Sequence, residues 1–151
     1  MNNQVVYFSA SGQSAYLASL LANKGAQVTE LQMVKPIGKI GFFKMLHYGG
    51  KATFHKKAKL LPYSFALGPE DRLILISPVW ADLPATPINT FLADQPLEGV
   101  APIIIFVSAG GSCKKGKEFL AKRFPKATFY DIALPKKNAA QADELVAKIL
   151  G

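Results

Sequence analysis

The sequence predicts one α/β domain, residues 1–151, with a doubly wound parallel sheet of five strands. Strand-like and helix-like patterns alternate along the chain, which is typical of βαβ units. Two strand candidates, 72–77 and 102–108, are apolar on both faces, as central strands of a parallel sheet are. Half of the 151 residues are hydrophobic, which is enough for the core of one domain.

The first predicted elements follow one another closely. An apolar run at 5–8 ends in a turn, and a helix at 14–21 follows with its apolar residues at helical spacing. Lys24 and Gly25 are a typical helix end, because glycine adopts the left-handed conformation there. Strand 27–31 comes next. Strand 72–77 is the third, and Pro78 is expected to end it.

The second half of the chain repeats the alternation. A helix is predicted at 87–93, with Thr86 as its N-cap and Pro87 as its first residue. Strand 102–108, helix 114–124, strand 128–133 and a terminal helix at 139–150 complete the pattern.

The segment 32–69 breaks this regularity and is interpreted as an enlarged second crossover, since it is too long for an ordinary loop. A short helix ended by Gly49 and Gly50 is predicted within it, on four residues: Phe42, Phe43, Leu46 and His47. The segment has no acidic residue and seven lysines, which is most of the net charge of +8. A second basic cluster lies at 114–126. Two interpretations remain, a solvated surface or attraction of an anionic partner, cofactor or substrate.

Several classes of protein do not fit the sequence. No nucleic-acid-binding motif accompanies the basic charge, so no nucleic-acid partner is expected. No apolar run is long enough to span a membrane, and no signal peptide is evident. Cys113 is the only cysteine, so no internal disulfide forms. Together these features favour the cytoplasm. His47 and His55, eight residues apart without a cysteine partner, predict no metal site.

Three loops are expected to carry function, because ligands of an open parallel sheet bind beyond the carboxyl ends of its strands. The first loop combines three hydroxyls and a glycine at a helix N-terminus, where N–H groups and the helix dipole favour an anion. It would suit a phosphate monoester, or it is simply a capped helix start. The candidates here are Ser9, Ala10, Ser11, Gly12, Gln13 and Ser14.

The other two loops could hold a flat ring. The second contains Trp80, the only tryptophan, which would offer a flat face or else cover the end of the core. Glycines in the third loop let the backbone approach a ligand closely. The candidates in the two loops are Pro78, Val79, Trp80, Ala81, Ser108, Ala109, Gly110 and Gly111.

These motifs, in this order, resemble the flavodoxin family over nearly the whole chain. The pattern Ser9-x-Ser11-Gly12-x-Ser14 is similar to the flavodoxin phosphate loop, and 77–80 with the following helix is similar to its second flavin loop. The resemblance implies the strand order 2-1-3-4-5 and FMN as the cofactor. It also implies that the first loop holds the phosphate, that Trp80 lies against the isoalloxazine, and that residues 109–111 line the ring edge.

Two departures from the family pattern affect the expected chemistry. Many flavodoxins have a tyrosine in the third loop that stacks on the second flavin face. Here no tyrosine lies between Phe106 and Phe119, so that face would be open to substrate or covered by His47 or Tyr48. The chain is basic, whereas electron-carrier flavodoxins are usually acidic. Lys114 or Lys115 near the ring would stabilise the anionic reduced flavin, which predicts a less negative potential than that of such carriers.

The sequence therefore predicts an FMN-binding redox protein and leaves its role open. It would be an electron carrier for a redox partner protein or a small electron acceptor, with an acidic partner expected, or a small NAD(P)H- or quinone-linked oxidoreductase. The alternative is a binding or regulatory module that has lost flavin and uses its basic crossover to bind an anionic partner. Cys113 is interpreted as a bystander, although lysines and a helix N-terminus beside it would lower its pKa and make it nucleophilic. The sequence indicates no oligomeric state.

Overall fold

The computed structural model of the chain describes residues 2–35 and 58–151. Strands and helices alternate along these residues, as the sequence predicts. The strands are β1 (Asn3–Tyr7), β2 (Gln27–Glu30), β3 (Arg72–Trp80), β4 (Leu83–Pro84), β5 (Ile103–Ser108) and β6 (Thr128–Ala133). The helices are α1 (Gln13–Asn23), α2 (Thr86–Asp94), α3 (Lys114–Arg123) and α4 (Ala139–Leu150).

Five of the strands form a parallel sheet in the order β2-β1-β3-β5-β6. The short strand β4 pairs with the end of β3 in the antiparallel direction. This is the doubly wound order 2-1-3-4-5 predicted for the five main strands, and it confirms the predicted fold class. The winding direction reverses between β1 and β3, which is where ligands bind in such folds.

Each face of the sheet is covered by two helices. One core contains Leu17 and Leu21 of α1 with Val146 and Ile149 of α4. The opposite core contains side chains of α2 and α3, among them Phe91 and Leu120. Successive residues of β3 enter the two cores alternately, because side chains along a strand point to opposite faces. This is why the strand is apolar at every position from 73 to 76.

The end of α1 is the one predicted from Lys24 and Gly25. Gly25 has φ 98°, and its N–H donates to the carbonyl of Ala22 at 2.9 Å. The N–H of Ala26 donates to the carbonyl of Leu21 at 3.2 Å. These two bonds form a Schellman motif, which satisfies carbonyls that the helix end would otherwise leave without partners.

The prediction that Pro78 ends the third strand is wrong, because β3 continues to Trp80. The carbonyl of Ile76 accepts from Phe8, next to the end of β1, and that of Pro78 accepts from Ala85 beside β4. Both residues therefore direct their backbone polar groups to the same side of β3. Since β1 ends at Tyr7, no residue of β1 is left without a hydrogen-bond donor by the missing N–H of Pro78.

The prediction of Thr86 as the N-cap of the next helix is also wrong. Ala85 is the N-cap, and Thr86 is the first residue of α2. The N–H of Ala85 donates to the Ser77 hydroxyl at 3.0 Å and to the Pro78 carbonyl at 3.2 Å. These bonds from β3 fix the start of α2 without a side-chain cap.

The two described ends of the second crossover meet at one antiparallel bridge, Met33 with Leu60. From there residues 58–67 run along α2, where the Phe65 ring packs edge-on against Phe91 with centroids 5.0 Å apart. The short helix predicted on Phe42, Phe43, Leu46 and His47 lies outside the described residues. None of the helices in the described ranges is long and apolar enough to cross a membrane.

Candidate functional site

A cavity of about 330 Å³ lies at the carboxyl edge of the sheet and joins the three predicted loops. It is lined by Ser9, Ala10, Ser11, Gln13, Ser14, Pro78, Val79, Trp80, Val107, Ser108, Ala109 and Leu134. All of the predicted site residues except Gly12, Ala81, Gly110 and Gly111 are therefore part of its wall. The topology brings the loops together because β1, β3 and β5 are adjacent and parallel.

The first loop wraps around the start of α1. Gly12 precedes the helix with φ 86°, a left-handed conformation that L side chains rarely adopt. The Ser9 hydroxyl oxygen accepts from the N–H of Gly12 at 3.0 Å and of Ala15 at 3.2 Å, which fixes the turn. The N–H groups of Gln13 and Ser14, in the first turn, have no acceptor within the helix. This loop thus presents backbone donors and hydroxyls to the cavity.

The second wall is the extension of β3 and the hairpin that follows it. Ala81 and Asp82 join β3 to β4 with φ 49° and 61°, as a two-residue type I′ turn requires. Pro78 and Val79 are half-buried and form apolar surface on the strand. The hairpin holds this apolar surface in place beside the first loop.

Trp80 lies inside the protein and forms part of the wall. Its side chain is 1% exposed, and its ring meets that of Phe8 edge-on, with centroids 5.5 Å apart and an interplanar angle of 85°. Together with Ser9 and Ala10, Trp80 also lines a second cavity of about 340 Å³, whose other lining residues are Phe8, Glu30, Leu31, Gln32, Met33 and Leu61. The expected contact of Trp80 with a flavin ring stays a prediction.

The third loop is shaped by a hydrogen bond from its own strand. The hydroxyl oxygen of Ser108 accepts from the N–H of Gly111 at 2.8 Å, and Gly111 has φ 75°. A side-chain carbon at Gly111 would lie 3.4 Å from Cβ of Ala133, in ordinary contact, so the constraint there is the backbone angle. Ala109 and Gly110 are exposed at the mouth of the site.

A fourth loop also borders the cavity, through Leu134 after β6. This loop was not predicted from the sequence, because only the loops after the first, third and fourth predicted strands were expected to carry function. The same rule, applied to the last strand, would have included residues 134–138. The N–H of Leu134 donates to the carbonyl of Ser108, and that of Lys136 donates to Oε1 of Gln13, both at 3.0 Å. The fourth loop is therefore tied to the first and the third.

The ionisable groups beside the site are mostly basic. Lys114 and Lys115 are exposed at the start of α3, and the N–H of Lys115 donates to the Asp82 carboxylate at 3.2 Å. At the end of β1, burial raises the pKa of Tyr7, and the nearby Glu30 carboxylate raises it further. His47 and Tyr48, one of which would cover the second flavin face in one of the two predicted alternatives, lie outside the described residues.

This donor set suits a phosphate monoester attached to an apolar body. Hydroxyls and backbone N–H groups can each donate to a phosphate oxygen, and the N-terminus of α1 adds a partial positive charge. Beside them the cavity wall is apolar, with Pro78, Val79, Val107 and Leu134. The cavity lining therefore combines the polar groups of the first loop with apolar side chains of the other walls, as the phosphate and ring of a flavin nucleotide require.

The chain is similar in structure to several flavoproteins. A candidate flavoprotein from Bacteroides eggerthii matches with a TM-score of 0.69 and 23% identity, covering 85% of this chain and 84% of that chain. One from Bacteroides uniformis matches with a TM-score of 0.70 and 22% identity, over 85% of each chain. A flavoprotein from Lactobacillus acidophilus, crystallised in complex with FMN, has a TM-score of 0.59 and 17% identity, covering 85% of this chain and 89% of that chain.

No protein-family model and no curated protein matches the sequence. The structural matches extend over most of both chains. At these identities they establish the fold, which is the flavodoxin-like fold predicted from the sequence.

Proposed function

We propose that the protein binds FMN in the cavity at the carboxyl edge of the sheet and transfers electrons through it. The observation that carries the proposal is the meeting of the first loop, the end of β3 and the third loop around one cavity whose lining is both polar and apolar. The flavoproteins of the same fold, one of them crystallised with FMN, support the choice of ligand.

The residues of the first loop would hold the phosphate. Ser11 and the N–H groups at the start of α1 would donate to its oxygens, while the Ser9 hydroxyl keeps the turn in shape through Gly12 and Ala15. Pro78, Val79 and Trp80 would form the apolar wall beside the ring. Ala109, Gly110 and Gly111 would border the ring edge, where backbone groups can donate to it.

The bound flavin would supply the redox chemistry, and the protein would set its position and electrostatic environment. Two roles are compatible with this site. One is an electron carrier that docks on a partner protein, for which the basic surface suits an acidic partner. The other is a small oxidoreductase that takes electrons from NAD(P)H and passes them to a quinone or similar acceptor. Steady-state NAD(P)H oxidation by the purified protein distinguishes the two.

The proposal is tested by flavin binding. The visible spectrum of the purified protein comes first, followed by titration of the apoprotein with FMN and with riboflavin. Trp80 is the only tryptophan, and a flavin bound in the adjoining cavity would quench its emission by energy transfer. We expect tight FMN binding and much weaker riboflavin binding, because only FMN has the phosphate that the first loop would hold.

A charge placed in the first loop provides the matched comparison. Ser11→Asp is expected to weaken FMN binding by at least about tenfold, since two anions a few ångströms apart repel strongly. Ser19→Asp adds the same charge at an exposed position farther along α1 and should bind FMN as the parent protein does. Binding of neither flavin by the parent protein would overturn the proposal and leave the fold with another ligand.

A further inference from the structure

The fourth loop, residues 134–138, is held rigidly against the first. Pro135 is buried, and the Asn138 side chain donates to the carbonyls of Ala133 at 2.7 Å and Leu134 at 3.4 Å. The N–H groups of Lys137 and Asn138 both donate back to the Leu134 carbonyl, at 2.9 and 3.0 Å. With its bonds to Gln13 and Ser108, the loop has a defined position relative to α1.

This arrangement brings the Lys136 ammonium to the N-terminus of α1. A Cβ built on Gly12 would lie only 2.9 Å from Nζ of Lys136, so the ammonium lies directly against the residue that precedes the helix. Within residues 2–35 and 58–151, no carboxylate forms an ion pair with Lys136. The first turn of α1 contains no acidic residue either.

A lysine at this end of a helix is electrostatically unfavourable on its own. The N-terminus of a helix carries a partial positive charge, so an ammonium beside it is repelled, whereas an anion is attracted to both. The hydrogen bond from Lys136 to Gln13 nevertheless keeps the loop, and with it the base of the lysine side chain, close to this end. An anion between the ammonium and the helix would turn the repulsion into two attractions.

We infer that Lys136 is a phosphate ligand and determines the preference of the site for a phosphorylated flavin over an unphosphorylated one. This inference rests on the proposed function, because it assigns a residue to the phosphate end of the same cavity. The fourth loop then contributes the cation, and the first loop contributes neutral donors. Phosphate selectivity is thus divided between Lys136 and the loop around Ser11.

The test compares Lys136→Gln with Lys137→Gln, which removes the same charge from the neighbouring exposed position. We expect Lys136→Gln to weaken FMN binding roughly tenfold, the low end of what loss of a charged hydrogen bond costs because Lys136 is exposed, and to leave riboflavin binding unchanged. Its FMN affinity should also depend less on NaCl concentration, because a screened ion pair has been removed. Lys136→Arg should restore most of the affinity, and Lys137→Gln should behave as the parent protein.

Two further readouts separate this inference from the proposed function. Inorganic phosphate should raise the melting temperature of the parent apoprotein more than that of Lys136→Gln, whose apoprotein should be at least as stable as the parent. Equal weakening of FMN and riboflavin by Lys136→Gln, or no change in FMN affinity, would overturn the role of Lys136 while FMN binding by the parent stands. Failure of the parent to bind FMN would overturn both.

Discussion

Cys113 shows how burial can reverse an expectation drawn from sequence neighbours. Lysines and a helix N-terminus around it predict a lowered thiol pKa, but its side chain is fully buried beneath α3. The pKa of the Cys113 thiol is raised to about 12, mainly by desolvation and also by the Asp82 and Asp131 carboxylates, although a hydrogen bond from the backbone of Gly116 acts in the opposite direction. The expectation of a lowered pKa is wrong, and the interpretation of Cys113 as a bystander is supported.

This burial predicts both reactivity and a pH dependence of stability. In the native protein Cys113 should react with a thiol reagent at pH 8 only on unfolding, and fully in denaturant.

From about pH 9 to about 12 the unfolded thiol ionises while the folded one stays protonated, so its contribution to the free energy of unfolding falls as pH rises. Urea titrations between pH 8 and 10 check this. Cys113→Ala should lose stability less steeply over that range, and identical slopes would contradict the assignment.

At the scale of elements, helix α3 approaches the sheet through a glycine. A Cβ added at Gly116 would lie 2.4 Å from Sγ of Cys113 and 3.2 Å from the ring of Phe106 in β5. These are core atoms of a neighbouring strand and of the residue at the start of the helix. The absence of a side chain at Gly116 therefore sets how closely α3 can pack on β5.

Gly116→Ala is accordingly expected to destabilise the protein, although alanine normally stabilises the interior of a helix by about 1 kcal/mol relative to glycine. The overpacking should outweigh that gain, giving a net loss of about 1–2 kcal/mol in the free energy of unfolding. Urea denaturation measures it. Gly110→Ala is the matched control, because a Cβ there meets nothing within 4 Å. A Gly116→Ala variant as stable as the parent would mean that α3 can move outward at no cost.

The elements that the sequence predicted well are those with a strong hydrophobic periodicity or a residue that clearly marks their end. Helix α1 and its end at Gly25 belong to this group, as does the doubly apolar β5. The hairpin at 79–84 was missed because proline usually ends a strand, and only the pairing partners show that Pro78 lies past the end of β1. The start of α2 depends on hydrogen bonds that the N–H of Ala85 donates to Ser77 and Pro78, and no sequence pattern indicates these bonds.

For the whole molecule, the position of the site was predictable because it follows from topology. Parallel strands place their following loops at one edge, so three loops could be named from the order of elements alone. The contribution of Lys136 could not be predicted from the sequence, since it depends on a hydrogen bond to Gln13, 123 positions away. The burial of Trp80 likewise depends on its contact with Phe8 and was left open by the sequence.

The distribution of charge along α3 leads to a prediction for the complete holoprotein. Lys114 and Lys115 lie at the end of the helix next to the third loop, whereas Lys122 is in its last turn and Lys126 beyond it. Seven helical residues separate Lys115 from Lys122 by about 10 Å, comparable to the Debye length at 0.1 M salt. Only the first pair should therefore act on a flavin in the cavity.

Removing that pair, in Lys114→Gln/Lys115→Gln, should lower the midpoint potential of the bound FMN by roughly 20–50 mV at low salt, because nearby positive charge stabilises the anionic reduced flavin. The distant pair, Lys122→Gln/Lys126→Gln, makes the same change in net charge and should shift the potential much less. Potentiometry of the three holoproteins at two salt concentrations measures both effects. Equal shifts for the two pairs would mean that total charge, rather than its placement beside the third loop, sets the potential. A parent potential as negative as that of acidic electron-carrier flavodoxins would contradict the role of the lysines altogether.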